Sequence, residues 1–93
     1  MELKHVELGS KGAIRAVDDD VQYGEITYSK AGDTNIIVDH TEVEPIAKGK
    51  GVGKKLVQEI VSIARERNWK VLPLCPFAKA EFEKNEGYKD VLM

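Results

Sequence analysis

The sequence is poor in several things, and each shortage removes a class of protein. It has one cysteine, Cys75, in 93 residues, which excludes an internal disulfide and any zinc site built on several thiolates. No apolar run approaches the ~20 residues that a membrane-spanning helix needs. The first residues, Met1-Glu2-Leu3-Lys4-His5, carry no apolar signal-peptide region, so a soluble cytoplasmic protein without membrane association is expected. There is no excess of positive charge, with 14 Lys and Arg against 16 Asp and Glu, which argues against a dedicated nucleic-acid binder. Low-complexity tracts, linkers and internal repeats are missing as well. The length excludes a TIM barrel, a two-lobed dinucleotide-binding fold and a kinase domain. It fits one domain spanning 1–93, acting as a monomer or weak homodimer.

What is present reads first as strands. Leu3 to Leu8, Ala13 to Val17, Val21 to Ser29 and Asn35 to Val43 are separated by the turns Gly9-Ser10-Lys11-Gly12, Asp18-Asp19-Asp20 and Ala31-Gly32-Asp33. Such short turns predict an antiparallel meander. The period then changes. Val52, Leu56, Val57, Ile60, Ile63 and Ala64 recur at helical spacing, with charged and polar residues opposite, predicting a helix over about 52–67. Lys70 to Leu74 reads as a short strand. Pro76 suits a helix start, and Phe77 to Asn85 reads as that helix, ended by Gly87. A right-handed crossover through the long helix would make strands four and five parallel. The fold class is mixed α/β: a mostly antiparallel sheet with one parallel pair and two C-terminal helices. Trp69, Leu72, Leu74, Phe77 and Phe82 are expected in the core, with cofactor stacking as the alternative.

The segment between strand four and the long helix is Ala47-Lys48-Gly49-Lys50-Gly51-Val52-Gly53-Lys54-Lys55. Glycines let backbone approach a ligand closely and adopt positive φ. A helix start presents free N–H groups and the positive end of its dipole. Lys48, Lys50, Lys54 and Lys55 add cations in a stretch without an acid. Phosphate or pyrophosphate suits such a site. The P-loop and the dinucleotide fingerprint are both excluded, because each needs a glycine where Lys54 stands. A flexible turn with solvated lysines is the competing reading.

Lys48-Gly49-Lys50-Gly51-Val52-Gly53 resembles the [QR]-x-x-G-x-[GA] signature of the GNAT superfamily of acetyl-CoA-dependent N-acetyltransferases, with Lys48 in place of Gln or Arg. The flanks His40-Thr41-Glu42-Val43-Glu44-Pro45 and Pro73-Leu74-Cys75-Pro76-Phe77-Ala78 extend the likeness to a subgroup of very small GNAT-like proteins. The resemblance implies that the parallel strands splay and that acetyl-CoA enters the resulting V. Backbone around Val43 to Ile46 would pair with the pantetheine amides. Lys48 and the N–H groups from Gly49, Lys50, Gly51, Val52, Gly53 and Lys54 would hold the pyrophosphate. Pro76 and Phe77 would complete the cofactor contacts. The helical segment that usually follows the first strand is missing, which implies an open acceptor side.

Acetylating an amine requires a base for its proton, a donor for the tetrahedral oxyanion and a proton for the departing CoA thiolate. Glu42 and His40 share one strand face by period two and are the candidate bases; an exposed polar strand face is the alternative. The family's usual acid is a tyrosine on the last helix, and Phe82 or Glu83 stands there instead. Cys75 is the replacement candidate, as an acid or as an acyl acceptor paired with His40, with a buried core residue as the third reading. The function expected is N-acetyl transfer from acetyl-CoA to an amine-bearing small molecule or protein. A non-catalytic CoA-binding module is the alternative.

Overall fold

A computed structural model describes all 93 residues, as a five-stranded sheet with two helices. The strands are β1 (Glu2–Leu8), β2 (Lys11–Asp18), β3 (Val21–Lys30), β4 (Asn35–Val43) and β5 (Lys70–Pro73), and the helices are α1 (Val52–Arg67) and α2 (Pro76–Lys84). Their spatial order is β1-β2-β3-β4-β5. The first four strands form the antiparallel meander, and β5 runs parallel to β4 after the α1 crossover. Several boundaries differ from the sequence-based reading: β1 begins at Glu2, β2 takes in Lys11, Gly12 and Asp18 from the expected turns, β3 reaches Lys30 and β5 ends at Pro73. α2 stops at Lys84, and Gly87 lies inside a 3-10 turn, Glu86–Val91, instead of closing the helix. Asn85 ends the helix by leaving helical geometry, with its side-chain N–H bonded to the Glu81 carbonyl at 2.7 Å.

Both helices cover the same face of the sheet. Ile14, Ile26, Tyr28, Ile36, Val38 and Val71 point from the strands into one buried cluster. Leu56, Val57, Ile60, Val61 and Ala64 of α1 meet them, and Ala78 and Phe82 of α2 complete the layer. The other face of the sheet is open to solvent and carries polar pairs such as Arg15–Glu25 and Ser29–Asp39. Strand alternation corrects part of the expected core. Val71 and Pro73 face the helices, so Leu72 and Leu74 turn outward, and Leu74 is 60% exposed. Phe77 is also surface-lying, at 41% exposure, whereas Trp69 and Phe82 are buried.

Two ion-pair networks pin the ends of the sheet. Arg65 holds Asp90 at 2.8 Å and fixes the last turn, which returns Leu92 and Met93 to the outer edge of β5. At the opposite corner Glu7 of β1 meets Lys30 at 3.0 Å and Arg67 at 2.9 Å, and both cations lie over the Trp69 ring. Hydrogen bonds from Lys30 and Arg67 hold the Glu7 carboxyl down to about 2, from an ordinary value of 4.5. A depressed carboxylate stabilises the fold fully above its unfolded range, and that contribution is lost as pH falls from 4.5 through 2. Because the pair is partly solvated, Glu7→Gln is expected to cost about 1 kcal/mol at pH 7. Thermal melts of both proteins should converge as pH approaches 2.

Candidate functional site

The parallel pair ends abruptly. Val38 is the last β4 residue to pair with β5, and its carbonyl accepts both the Leu74 N–H at 3.2 Å and the Cys75 N–H at 3.1 Å. Beyond this fork β4 continues to Val43 while the other chain turns into α2. At the same level the β3–β4 register slips: Tyr28 faces Val38 and Thr27 faces His40, leaving Asp39 as an extra, bulged residue. The bulge reverses the parity of the strand. Before it Ile36 and Val38 face the helices; after it Thr41 and Val43 do, opposite the core residues Ile26 and Gly24.

The same parity turns the backbone of β4. The Glu44 N–H bonds the Tyr23 carbonyl at 2.9 Å, so residues 40, 42 and 44 engage β3. The peptide groups of Thr41 and Val43 therefore point to the side that β5 has left. The Thr41 N–H indeed reaches the Cys75 sulfur across the fork. This free strand edge forms one wall of a cleft of ≈ 520 Å³.

The start of α1 forms the adjoining wall. Gly51 is its N-cap at φ 73°, a left-handed conformation that costs a residue with a Cβ roughly 1–2 kcal/mol, and Gly49 has φ 81°. The first intrahelical bond is from Lys55 N–H to the Gly51 carbonyl, at 3.1 Å. The N–H groups of Val52, Gly53 and Lys54 thus have no acceptor within the helix. No acidic side chain occupies the first turn to neutralise them. A third wall comes from α2, where the tip of the Phe77 ring lies against Gly53. A Cβ at residue 53 would stand 2.6 Å from the Phe77 ring, so glycine is what admits the aromatic there.

Of the residues selected from sequence, Val43, Lys48, Gly49, Gly51, Val52, Gly53, Lys54 and Phe77 line this cleft. Ile46 points outward, and Lys50 and Pro76 are exposed beside the cleft without lining it. Thr41, Ala47 and Glu81 line it and were not selected. Glu81 had a signal: it is three residues from Ala78 and four from Phe77, on their face of α2.

Cys75 sits at the fork as the N-cap of α2, 6% exposed, with its sulfur 3.3 Å from the Thr41 hydroxyl. Burial pushes its pKa up. The Thr41 hydroxyl and the N–H groups of Ala78, Phe77 and Thr41 outweigh that and leave it below the ordinary thiol value. As a thiol the group donates to Thr41; as a thiolate it accepts from it. His40 and Glu42 do share a face, with Nε2 and Oε2 3.4 Å apart. That face is the open one, across the sheet from the cleft, because the bulge carries Thr41 and not its neighbours inward. The expected pairing of Cys75 with His40 is not made: the thiol is bonded to Thr41 and the imidazole lies beside Glu42.

Comparison with known proteins places these features. The family model of the GCN5-related N-acetyl-transferases matches residues 13–91. A GCN5-like candidate N-acetyltransferase from Staphylococcus aureus is 40% identical over 99% of this chain and 87% of its own, with a TM-score of 0.74. A ribosomal-protein-alanine N-acetyltransferase from Brucella melitensis shares the fold at 23% identity and TM-score 0.67, over 84% of this chain and 64% of its own. An aminoglycoside 6′-N-acetyltransferase complexed with coenzyme A shares it at 24% identity and TM-score 0.58, over 64% and 34%. Comparison with the curated proteins gives no match.

The Cys75 environment can be tested by alkylation. The apparent pKa read from the pH dependence of iodoacetamide labelling is expected below that of free cysteine. Thr41→Val should raise it, since burial would then act with one stabilising donor fewer. An unchanged value would show that Thr41 does not set the thiol's state.

Proposed function

The chain belongs to the GCN5-related N-acetyltransferase family, and from that premise we propose that it transfers the acetyl group of acetyl-CoA to an amine. One observation carries the reading: a single cleft joins an uncapped helix N-terminus to an unpaired strand edge. Acetyl-CoA has the matching halves, an anionic pyrophosphate and a chain of neutral amides. In this reading the N–H groups of Val52, Gly53 and Lys54 hold the pyrophosphate, aided by Lys48 and Lys54. The pantetheine amides pair with Thr41 and Val43 as a short additional strand, and Phe77 packs along the arm. The thioester then lies at the fork, where a backbone N–H of the β4 edge receives the developing oxyanion.

The acceptor enters from the open face through the gap between the parting strands. An ammonium is unreactive, so the amine must lose a proton, and the His40–Glu42 pair on that face takes it. Direct attack on the thioester carbon expels the CoA thiolate, and Cys75 supplies the proton. One feature favours this over an acyl-cysteine: no base lies beside Cys75 to take its proton, only the Thr41 hydroxyl. The second reading, CoA binding without turnover, draws on the cleft walls, which hold no tyrosine to serve as acid.

Calorimetry with acetyl-CoA, followed by an assay of CoA release on adding amines and lysine-bearing peptides, separates the two. Gly51→Val is expected to weaken acetyl-CoA binding at least about tenfold by straining the left-handed cap. Cys75→Ala should lower kcat about tenfold or more with little change in acetyl-CoA affinity, within the range for a lost general acid. Binding without amine-dependent release would establish the non-catalytic reading.

A further inference from the structure

Glu81 is the only acidic side chain on the wall of the cleft, and 4% of that side chain is exposed. It stands on α2 one turn beyond Phe77, facing the free edge of β4 across the cleft. Its charged neighbour within the protein is Lys84 Nζ at 3.6 Å, too long for a strong hydrogen bond and on a side chain 71% exposed. No buried carboxylate oxygen is left without a partner, and with Lys84 as its one charged neighbour Glu81 stays able to accept from a donor that enters the cleft.

The cleft is therefore divided by charge. At the α1 end lie Lys48, Lys54 and three free N–H groups; at the α2 end lies a carboxylate. A ligand suits both ends only if it is anionic at one and a neutral donor at the other. Amide geometry sharpens the match. The C=O and N–H of an amide point in opposite directions, so an amide whose carbonyl accepts from the β4 edge turns its N–H toward the facing wall. We propose that Glu81 is a specificity-determining residue for the cofactor, accepting a hydrogen bond from a pantetheine amide N–H and excluding a second anionic group from that end. The inference rests on the cleft being the CoA site. A site built to hydrogen-bond a donor discriminates strongly against ligands that lack it.

Two ligands test this by calorimetry: CoA, and 3′-phosphoadenosine 5′-diphosphate, which keeps the nucleotide end and lacks the arm. Glu81→Leu should weaken CoA about tenfold, the loss of one hydrogen bond to a charged group. It should leave the nucleotide bound as well as or better than by the wild type. Glu81→Gln, whose carbonyl still accepts, should lose clearly less CoA affinity than Glu81→Leu. Lys84→Ala should leave both affinities unchanged, separating a ligand contact from a helix-surface ion pair. Equal losses for both ligands, or an unchanged CoA affinity in Glu81→Leu, would overturn the assignment of Glu81 alone. A wild-type protein that binds neither ligand would overturn the CoA reading and this inference with it.

Discussion

The carbonyl of Val38 accepts two N–H groups, from Leu74 and Cys75, at the point where β4 and β5 part. A strand normally gives each carbonyl one partner along a regular ladder, and sharing this one lets β5 stop pairing without stranding a donor at the fork. Three consequences follow from the same place. Cys75 is set at the head of α2 with helix N–H groups directed at its sulfur. The next stretch of β4 keeps β3 on one edge and has no strand on the other. The bulge at Asp39 then brings Thr41 and Val43 to the helix side of that open stretch. Without the fork, α1 would still present its free N–H groups, but no strand edge would lie beside them.

Sequence patterning was most informative where one physical signal dominated. The span of α1 follows from an apolar stripe that has only one way to be buried, and β4 begins and ends where alternation and turn residues placed it. The glycine-rich turn before α1 was legible because positive φ and close approach admit few residues besides glycine, at Gly51 and Gly53 above all. The bulge was not legible. One extra residue in a strand leaves no compositional mark, yet it decides which of two alternating sets faces the cleft. His40 and Glu42 were correctly read as sharing a face, while the identity of that face depended on Asp39. Leu72 and Leu74 failed for a related reason: apolar character signals burial only where a layer exists to provide it.

Glu81 shows a different limit. Charged residues on a short helix are ordinarily assigned to solvent, and α2 is otherwise polar enough to hide one inward carboxylate. Only its helical spacing from Phe77 and Ala78 separates it from Glu83, which faces away from the cleft. Type and position therefore carry opposite implications at this residue, and the tertiary arrangement decides between them.

A sheet covered on one face by two helices is well suited to its antiparallel part, where one side can alternate into water. The parallel pair is the exception, since parallel strands usually need cover on both faces. Here the uncovered side of that pair carries Leu72 on β5, Leu74 just beyond its end and half-buried Ile37 on β4. Exposed apolar surface thus lies at the fork, on the face that also bears His40 and Glu42, as it does at Val6 and Leu8 of β1. A fold that omitted a second layer elsewhere would expose polar pairs such as Arg15–Glu25 at little cost. Omitting it at the parallel pair exposes apolar side chains beside the proposed base, so in the proposed reading the same omission that thins the fold leaves an acceptor an uncovered and partly apolar approach.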